Sequence, residues 1–249
     1  AEHWQQARAP SASNAWLERM TWLAVRTWCW RALRRNVDLR VEGIGHLPRN
    51  GPALIVCQHY HHYYDGCILL AALPRPVHLL VALDWIGTPW LRLVMQAACA
   101  MARWPVVLRG ERITGAASAR SAFRAAEIRP FLRRALAGTR DLLRAGRVVA
   151  IFPEAYPTID PMYTPRTDQN AFLPFRRGFV HLVELAQRDG RTRVAIVPAG
   201  LNYRRGIRWQ AHIRFGPPLY LDERSGQEAL LRAVEAQVRA LSSDACGLA

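Results

Sequence analysis

The chain contains no lysine: all 34 of its cations are arginines, set against 19 aspartates and glutamates, for a formal charge of +15. Such an excess points to an anionic partner, whether phospholipid headgroups, phosphorylated substrates or nucleic acid. Genomic base composition is one source of an arginine-only set. The guanidinium also grips phosphate through paired hydrogen bonds and is less tightly hydrated than an ammonium. Cysteines are few, at positions 29, 57, 67, 99 and 246, and no C-x-x-C pair is present. Their odd number and mostly apolar surroundings exclude a disulfide framework and describe reduced core residues of a cytosolic protein. Long apolar runs are missing too. The best candidate, Met20 to Leu33, has 14 residues and contains Arg26 and Arg31, whereas a membrane-spanning helix needs roughly 20 apolar residues. The chain opens on Ala1, compatible with a missing upstream piece, and shows no secretory-signal pattern.

Aromatic mass, by contrast, is concentrated. Five of the nine tryptophans, Trp4, Trp16, Trp22, Trp28 and Trp30, crowd the first thirty residues among Arg19, Arg26, Arg31, Arg34 and Arg35. That mixture suits a helix lying in the headgroup layer of a membrane, or a helix packed on the protein's own core by its tryptophans. Residues 1–13 lack any period, and Asn14 is placed to cap a helix running to about Arg35.

Further along, strands are expected at 38–43, 53–57, 76–83, 105–108, 147–152, 193–203 and 211–216. Helices are expected from about Cys67 to Leu73, from Thr88 and Pro89 to Ala102, between Gly115 and Arg144 with a break at Pro130, from Gly178 to Arg188, and from Glu228 to Leu241. Residues 155–175 hold four prolines and read as a long loop, of the kind that usually carries function. Strands alternating with helices, no internal repeat and no linker describe one α/β domain, a mixed sheet covered by helices on both faces. Residues 1–36 form an arm and interfacial amphipathic helix, and 37–249 the main domain.

Two segments carry chemistry. QHYHHYYDG (58–66) follows a buried strand and precedes a helix, which places it at the C-terminal edge of the sheet. A histidine oriented by a carboxylate is a suitable general base, and His59, His61 and His62 all lie within reach of Asp65. In RVVAIFPEA (147–155) a buried strand ends at Pro153, leaving Glu154 projecting at the same edge.

This pattern resembles the glycerolipid acyltransferase family, the one containing the 1-acylglycerol-3-phosphate acyltransferases. In that family a strand leads into Asn-His, four residues and Asp, a middle segment ends in arginine, and a later strand runs into Phe-Pro-Glu-Gly. Gln58-His59 with Asp65, PVVLRG with Arg109, and Phe152-Pro153-Glu154 are the counterparts, joined by RVEGIGHLPRNGPALIVC, PFRRG, VAIVPAGLNY with Pro198, and FGPPLYL. The resemblance spans roughly residues 38–222. It departs in two places. Five residues, not four, separate His59 from Asp65, and Ala155-Tyr156-Pro157-Thr158 replaces the family's Gly-Thr-Arg-Ser, removing an expected phosphate-binding arginine.

The resemblance implies a glycerol-3-phosphate-acyltransferase-like fold and transfer of a fatty acyl group from acyl-CoA or acyl-carrier protein to a lysophospholipid hydroxyl. His59 is the expected base, oriented by Asp65, with His61 as alternate. Glu154 orients the acceptor, Arg109, Arg176 or Arg177 hold phosphate, and no metal or cofactor is needed beyond the thioester co-substrate. The expected partners are the acyl donor, the lysolipid acceptor and the cytoplasmic face of a phospholipid membrane, to which the protein binds peripherally. Rival readings are a metal-dependent hydrolase built on His-x-His, an enzyme of the chloramphenicol-acetyltransferase type suggested by HHYYDG, and a non-enzymatic nucleic-acid-binding protein. The last has only charge in its favour, since the arginines are scattered and no nucleic-acid motif is present.

Overall fold

The computed structural model of the chain describes residues 12–114, 121–160, 163–165, 168, 172–221 and 226–243. Its main sheet grows from apolar runs that lack alternation. In β2 (Ala53–Cys57) every residue is buried, as in β6 (Val148–Ile151), because a strand covered on both faces needs apolar side chains on both. Around them the order is β1-β8-β7-β2-β6-β3, with β1 at Val37–Glu42, β3 at Val77–Leu79, β7 at Ala195–Arg205 and β8 at Trp209–Phe215. All neighbours are parallel except β7 and β8, which form an antiparallel hairpin.

The period of two sorts the side chains between two cores. Ala53, Ile55 and Cys57 face a core shared with Val148, Ala150 and Val197. That face is covered by helix α1 (Ala12–Asn36), through Cys29 and Leu33, and by α2 (Tyr64–Ala72), through Ile68 and Leu69. Leu54 and Val56 face the opposite core, closed by α5 (Ile128–Arg144), α6 (Gly178–Gln187) and α7 (Gln227–Ser242) through residues such as Leu143, Phe179 and Val234. Beyond β3, a short parallel pair of β4 (Val81–Ala82) and β5 (Val106–Val107), with α3 (Pro89–Met101) and α4 (Gly110–Thr114), encloses a third cluster around Leu83, Ile86 and Phe131. The expected α/β sheet with helices on both faces is the observed fold.

Several boundaries differ from expectation. The apolar run 76–83 breaks into two strands at Leu80, whose N–H still bonds Ala150 O, and the chain then leaves the main sheet for β5. Ala12, the first described residue, is already helical in α1, so Asn14 lies inside the helix rather than at its cap. Pro130 neither breaks nor kinks α5; it sits in the first turn, where its missing N–H has no carbonyl to meet. Residues 115–120, expected to be helical, lie outside the described residues. At Gly200 strand and helix nearly touch: a Cβ there would come within 2.3 Å of the Leu241 carbonyl carbon, so only glycine lets α7 pack on β7.

Because β2 and β6 are parallel, with Val56 opposite Ile151, and β7 runs beside β2 with Cys57 opposite Ala199, their continuations emerge together. Those continuations are the two segments singled out in the sequence.

Candidate active site

The histidine segment leaves β2 at Gln58, whose N–H bonds Ala199 O, and is zipped along the chain that follows β6. Thr158 N donates to His59 O at 3.1 Å, Ile159 N to Tyr60 O at 2.7 Å, and His62 N to Ile159 O at 3.1 Å. The segment then turns into α2, with Asp65 in its first turn, fully buried at 0% exposure.

A buried carboxylate needs donors, and Asp65 has them. Its Oδ2 accepts from His59 Nδ1 at 2.9 Å, Tyr60 N at 2.6 Å and His61 N at 2.9 Å; its Oδ1 accepts from the Tyr203 hydroxyl at 2.7 Å. The helix N-terminus adds a favourable field for the negative charge. His59 is the histidine whose ring meets the carboxylate, and the bond assigns the proton to Nδ1, leaving Nε2 as the basic nitrogen. Between His59 and Asp65 the chain makes a bridge at His61 and a turn at His62 and Tyr63 before α2 begins.

Other contacts fix the His59 ring and backbone. Phe152 stacks on the ring at 4.3 Å. The His59 N–H donates to Glu154 Oε1 at 3.1 Å, while Glu154 Oε2 accepts from Leu173 N at 3.1 Å. Glu154 therefore does not project from the strand end as the sequence suggested. It is 2% exposed and ties the histidine segment to the start of the PFRRG stretch. The chain then turns sharply at Ala155, whose φ of 66° is a left-handed value that suits glycine. The departure from Glu-Gly to Glu-Ala thus falls where a side chain is costly.

His61 faces elsewhere. Its Nδ1 accepts from Tyr63 N at 3.2 Å, serving the open end of α2, and its ring lies among His62, Tyr64, Tyr203 and Trp209. Burial pushes its pKa down to about 4, and the nearby His62 acts in the same direction. An unfolded histidine titrates near roughly 6.5, so the unfolded chain takes up this proton first. The stability held by neutral His61 is fully present above that value and is lost as pH falls toward 4, at about 1.4 kcal/mol per unit of displacement. Thermal melts between pH 7 and 4 are expected to show this slope, flattened in His61→Gln. His78 and His212, whose pKa values burial also lowers, contribute in the same direction. An unchanged slope in the variant would exclude His61 as its source.

The arginines are already engaged. Arg109 Nε and Nη2 both reach Asp84, at 3.0 and 2.8 Å, Nη1 donates to Ala155 O at 2.7 Å, and the guanidinium lies over the Tyr156 ring. Arg176 pairs with Glu111 at 2.9 Å, and Arg177 with Glu228 at 2.8 Å. Arg112 lies 3.7 Å from Asp84 and its buried Nε has no hydrogen-bond partner among the described residues. Asp84, Arg112 and Tyr203 were not singled out in the sequence, although Tyr203 ends the quoted VAIVPAGLNY. Among the described residues no three His, Cys, Asp or Glu side chains converge into a metal-ligand set.

Comparisons with known proteins bear on this arrangement. The family model described as Acyltransferase matches residues 38–202. No curated protein sequence matches significantly. Among solved structures, the chain is similar to the crystal structure of the 1-acyl-sn-glycerophosphate (LPA) acyltransferase PlsC from Thermotoga maritima, at 15% identity and a TM-score of 0.58, covering 90% of this chain and 78% of that one. At that identity the likeness is one of fold. The family match spans well over half of the chain, including His59, Asp65, Arg109 and Glu154, and the protein therefore belongs to the acyltransferase family.

Proposed function

We propose that the protein transfers a fatty acyl group from acyl-CoA or acyl-carrier protein to the hydroxyl of a lysophospholipid, with 1-acylglycerol-3-phosphate the favoured acceptor, in phospholipid biosynthesis. The observation that carries this reading is the His59–Asp65 pair, 2.9 Å apart at the sheet edge and held from three sides. The acceptor hydroxyl attacks the thioester carbonyl while His59 Nε2 takes its proton. The C–O bond forms, the tetrahedral centre collapses, the C–S bond breaks, and the imidazolium returns the proton to the thiolate. Asp65 fixes the tautomer and stabilises the imidazolium. Glu154 acts through His59, whose backbone it holds. The acceptor's phosphate is met by exposed Arg176, whose guanidinium lies over Tyr156, while Arg109, over the same ring and bonded to Asp84 and Ala155, holds this corner of the site in place. No covalent acyl-enzyme, metal or cofactor enters these steps.

An amphiphilic acceptor and a two-chain lipid product call for a protein that works at a membrane surface, here the cytoplasmic face. No helix of the described residues is long and apolar enough to cross a membrane. On α1, Trp16, Met20, Leu23 and Trp30 recur at helical spacing and are all exposed, while Cys29 and Leu33 are buried beneath. This outward stripe, bordered by Arg19, Arg31 and Arg34, is what supports interfacial binding. Removing α1 altogether would uncover the core, so the informative variant is Trp16→Glu/Trp30→Glu in the full chain. It is expected to bind anionic vesicles at least tenfold more weakly in co-sedimentation; undiminished binding contradicts the interfacial role of α1.

Mass spectrometry of lipids from cells with active or His59→Ala protein tests the function itself. The active protein is expected to lower a lysophospholipid and raise the matching diacyl phospholipid. Identical lipid profiles count against the reading.

A further inference from the structure

We propose that the tip of the β7–β8 hairpin is a second contact with an anionic lipid surface, adjoining the C-terminal end of the outward stripe of α1. The tip is Gly206-Ile207-Arg208, and Ile207 is fully exposed, the most exposed large apolar side chain described. An isoleucine at the extremity of a hairpin packs on nothing of its own chain. It is preceded by Arg204 and Arg205, both exposed.

The tip is also fastened in place. Arg208 Nη2 donates to the carbonyls of Arg34 and Val37, at 2.6 and 2.8 Å, and Nη1 pairs with Asp38 at 2.9 Å. Arg208 thereby joins the hairpin to the C-terminal end of α1 and engages the acidic side chain beside it. The last turns of α1 present exposed Arg31, Arg34 and Arg35, and Trp30, half exposed, with the Arg34 guanidinium 4.5 Å from its ring centre. Trp30 and Ile207 are thus apolar points set within an arginine field, which suits insertion between anionic headgroups.

The same hairpin is rooted in the candidate site. Trp209, the first residue of β8, meets Tyr203 and His61 edge-on at 6.0 and 5.8 Å, and Tyr203 holds Asp65. A bilayer gripped by this tip lies beside the histidine segment. Nucleic acid would also use the arginines, but no nucleic-acid motif is present and an exposed isoleucine beside arginines suits a headgroup layer, which favours lipid as the occupant. The choice of lipid also draws on the proposed lysolipid acceptor.

The test is co-sedimentation of the full-length protein with phosphatidylcholine vesicles, with and without phosphatidylglycerol, at low and high salt. Wild type is expected to prefer the anionic vesicles. Ile207→Asp should weaken that binding about tenfold and Ile207→Trp strengthen it, while Arg205→Glu weakens it and flattens its salt dependence. In Ile207→Asp, acyl transfer to a detergent-dispersed lysolipid should stay at the wild-type level, which separates loss of docking from loss of catalysis. Vesicle binding is readable even if no acyl transfer is detected, so the two proposals fail separately. Unchanged vesicle binding by folded Ile207→Asp overturns the proposal. So does binding to a single-stranded oligonucleotide that exceeds vesicle binding and responds to Arg205→Glu but not to Ile207→Asp.

Discussion

Replacing His59 with alanine is expected to lower turnover by two or more orders of magnitude while leaving the protein folded. The loss is the usual scale for removing a positioned general base, roughly 10²–10⁴-fold. The ring is part-buried and its main packing partner is Phe152, so little of the core depends on it. Asp65→Ala is expected to lose as much activity and considerable stability, because it strands donors from Tyr60, His61 and Tyr203 in a buried position. Tyr203→Phe removes one donor and should sit between, about tenfold down in kcat with KM unchanged and the acidic limb of the pH profile displaced. His61→Ala should keep activity within about tenfold of wild type and lose thermal stability, since its ring nitrogen serves the start of α2. Steady-state kinetics with parallel melts separate these cases. An inactive His61→Ala beside an active His59→Ala would reverse the assignment.

The second large effect is expected at Arg109. Arg109→Met leaves Asp84 with its charge fully buried and only the backbone N–H of position 109, at 3.2 Å, and the 3.7 Å approach of Arg112 as compensation. Breaking such a pair from one side costs about 3–5 kcal/mol, whereas removing both charges is close to neutral. For a chain of this size each kcal/mol lowers Tm by roughly 2–4 °C. A fall on the order of 10 °C is therefore expected, with at least half recovered in Asp84→Asn/Arg109→Met. Calorimetry of the two variants decides between this structural role and the simpler one suggested by the family pattern. If Arg109→Met keeps its Tm and only raises the KM for lysophosphatidate, Arg109 is chiefly an anion ligand.

These two cases also show where sequence is informative. ALIVC and VVAIF are legible as strands because burial on both faces admits no polar residue, and that signature needs no knowledge of neighbours. His59 and Asp65 are close in sequence, so their pairing is constrained by local geometry. Asp84 and Arg109 are 25 residues apart, and their union depends on β4 meeting β5. Nothing in VHLLVAL marks Leu80 as the point where the chain changes sheets, since Leu79, Leu80 and Val81 form an unbroken apolar run. Glu154 was expected to project because Pro153 ends the strand, but the left-handed turn at Ala155 folds the chain back and gives the carboxylate two backbone amides. Tyr203 is hidden by its strand: an aromatic residue is ordinary there, and only its hydroxyl, facing Asp65, distinguishes it.

The central claim is that a thioester acyl group passes to a lysolipid hydroxyl through His59. Purified protein incubated with isotope-labelled palmitoyl-CoA and 1-acylglycerol-3-phosphate should form labelled phosphatidate and free thiol in equal amounts, and His59→Ala should form neither above background. Thiol release without labelled diacyl product would contradict the account, as would full product formation by the variant.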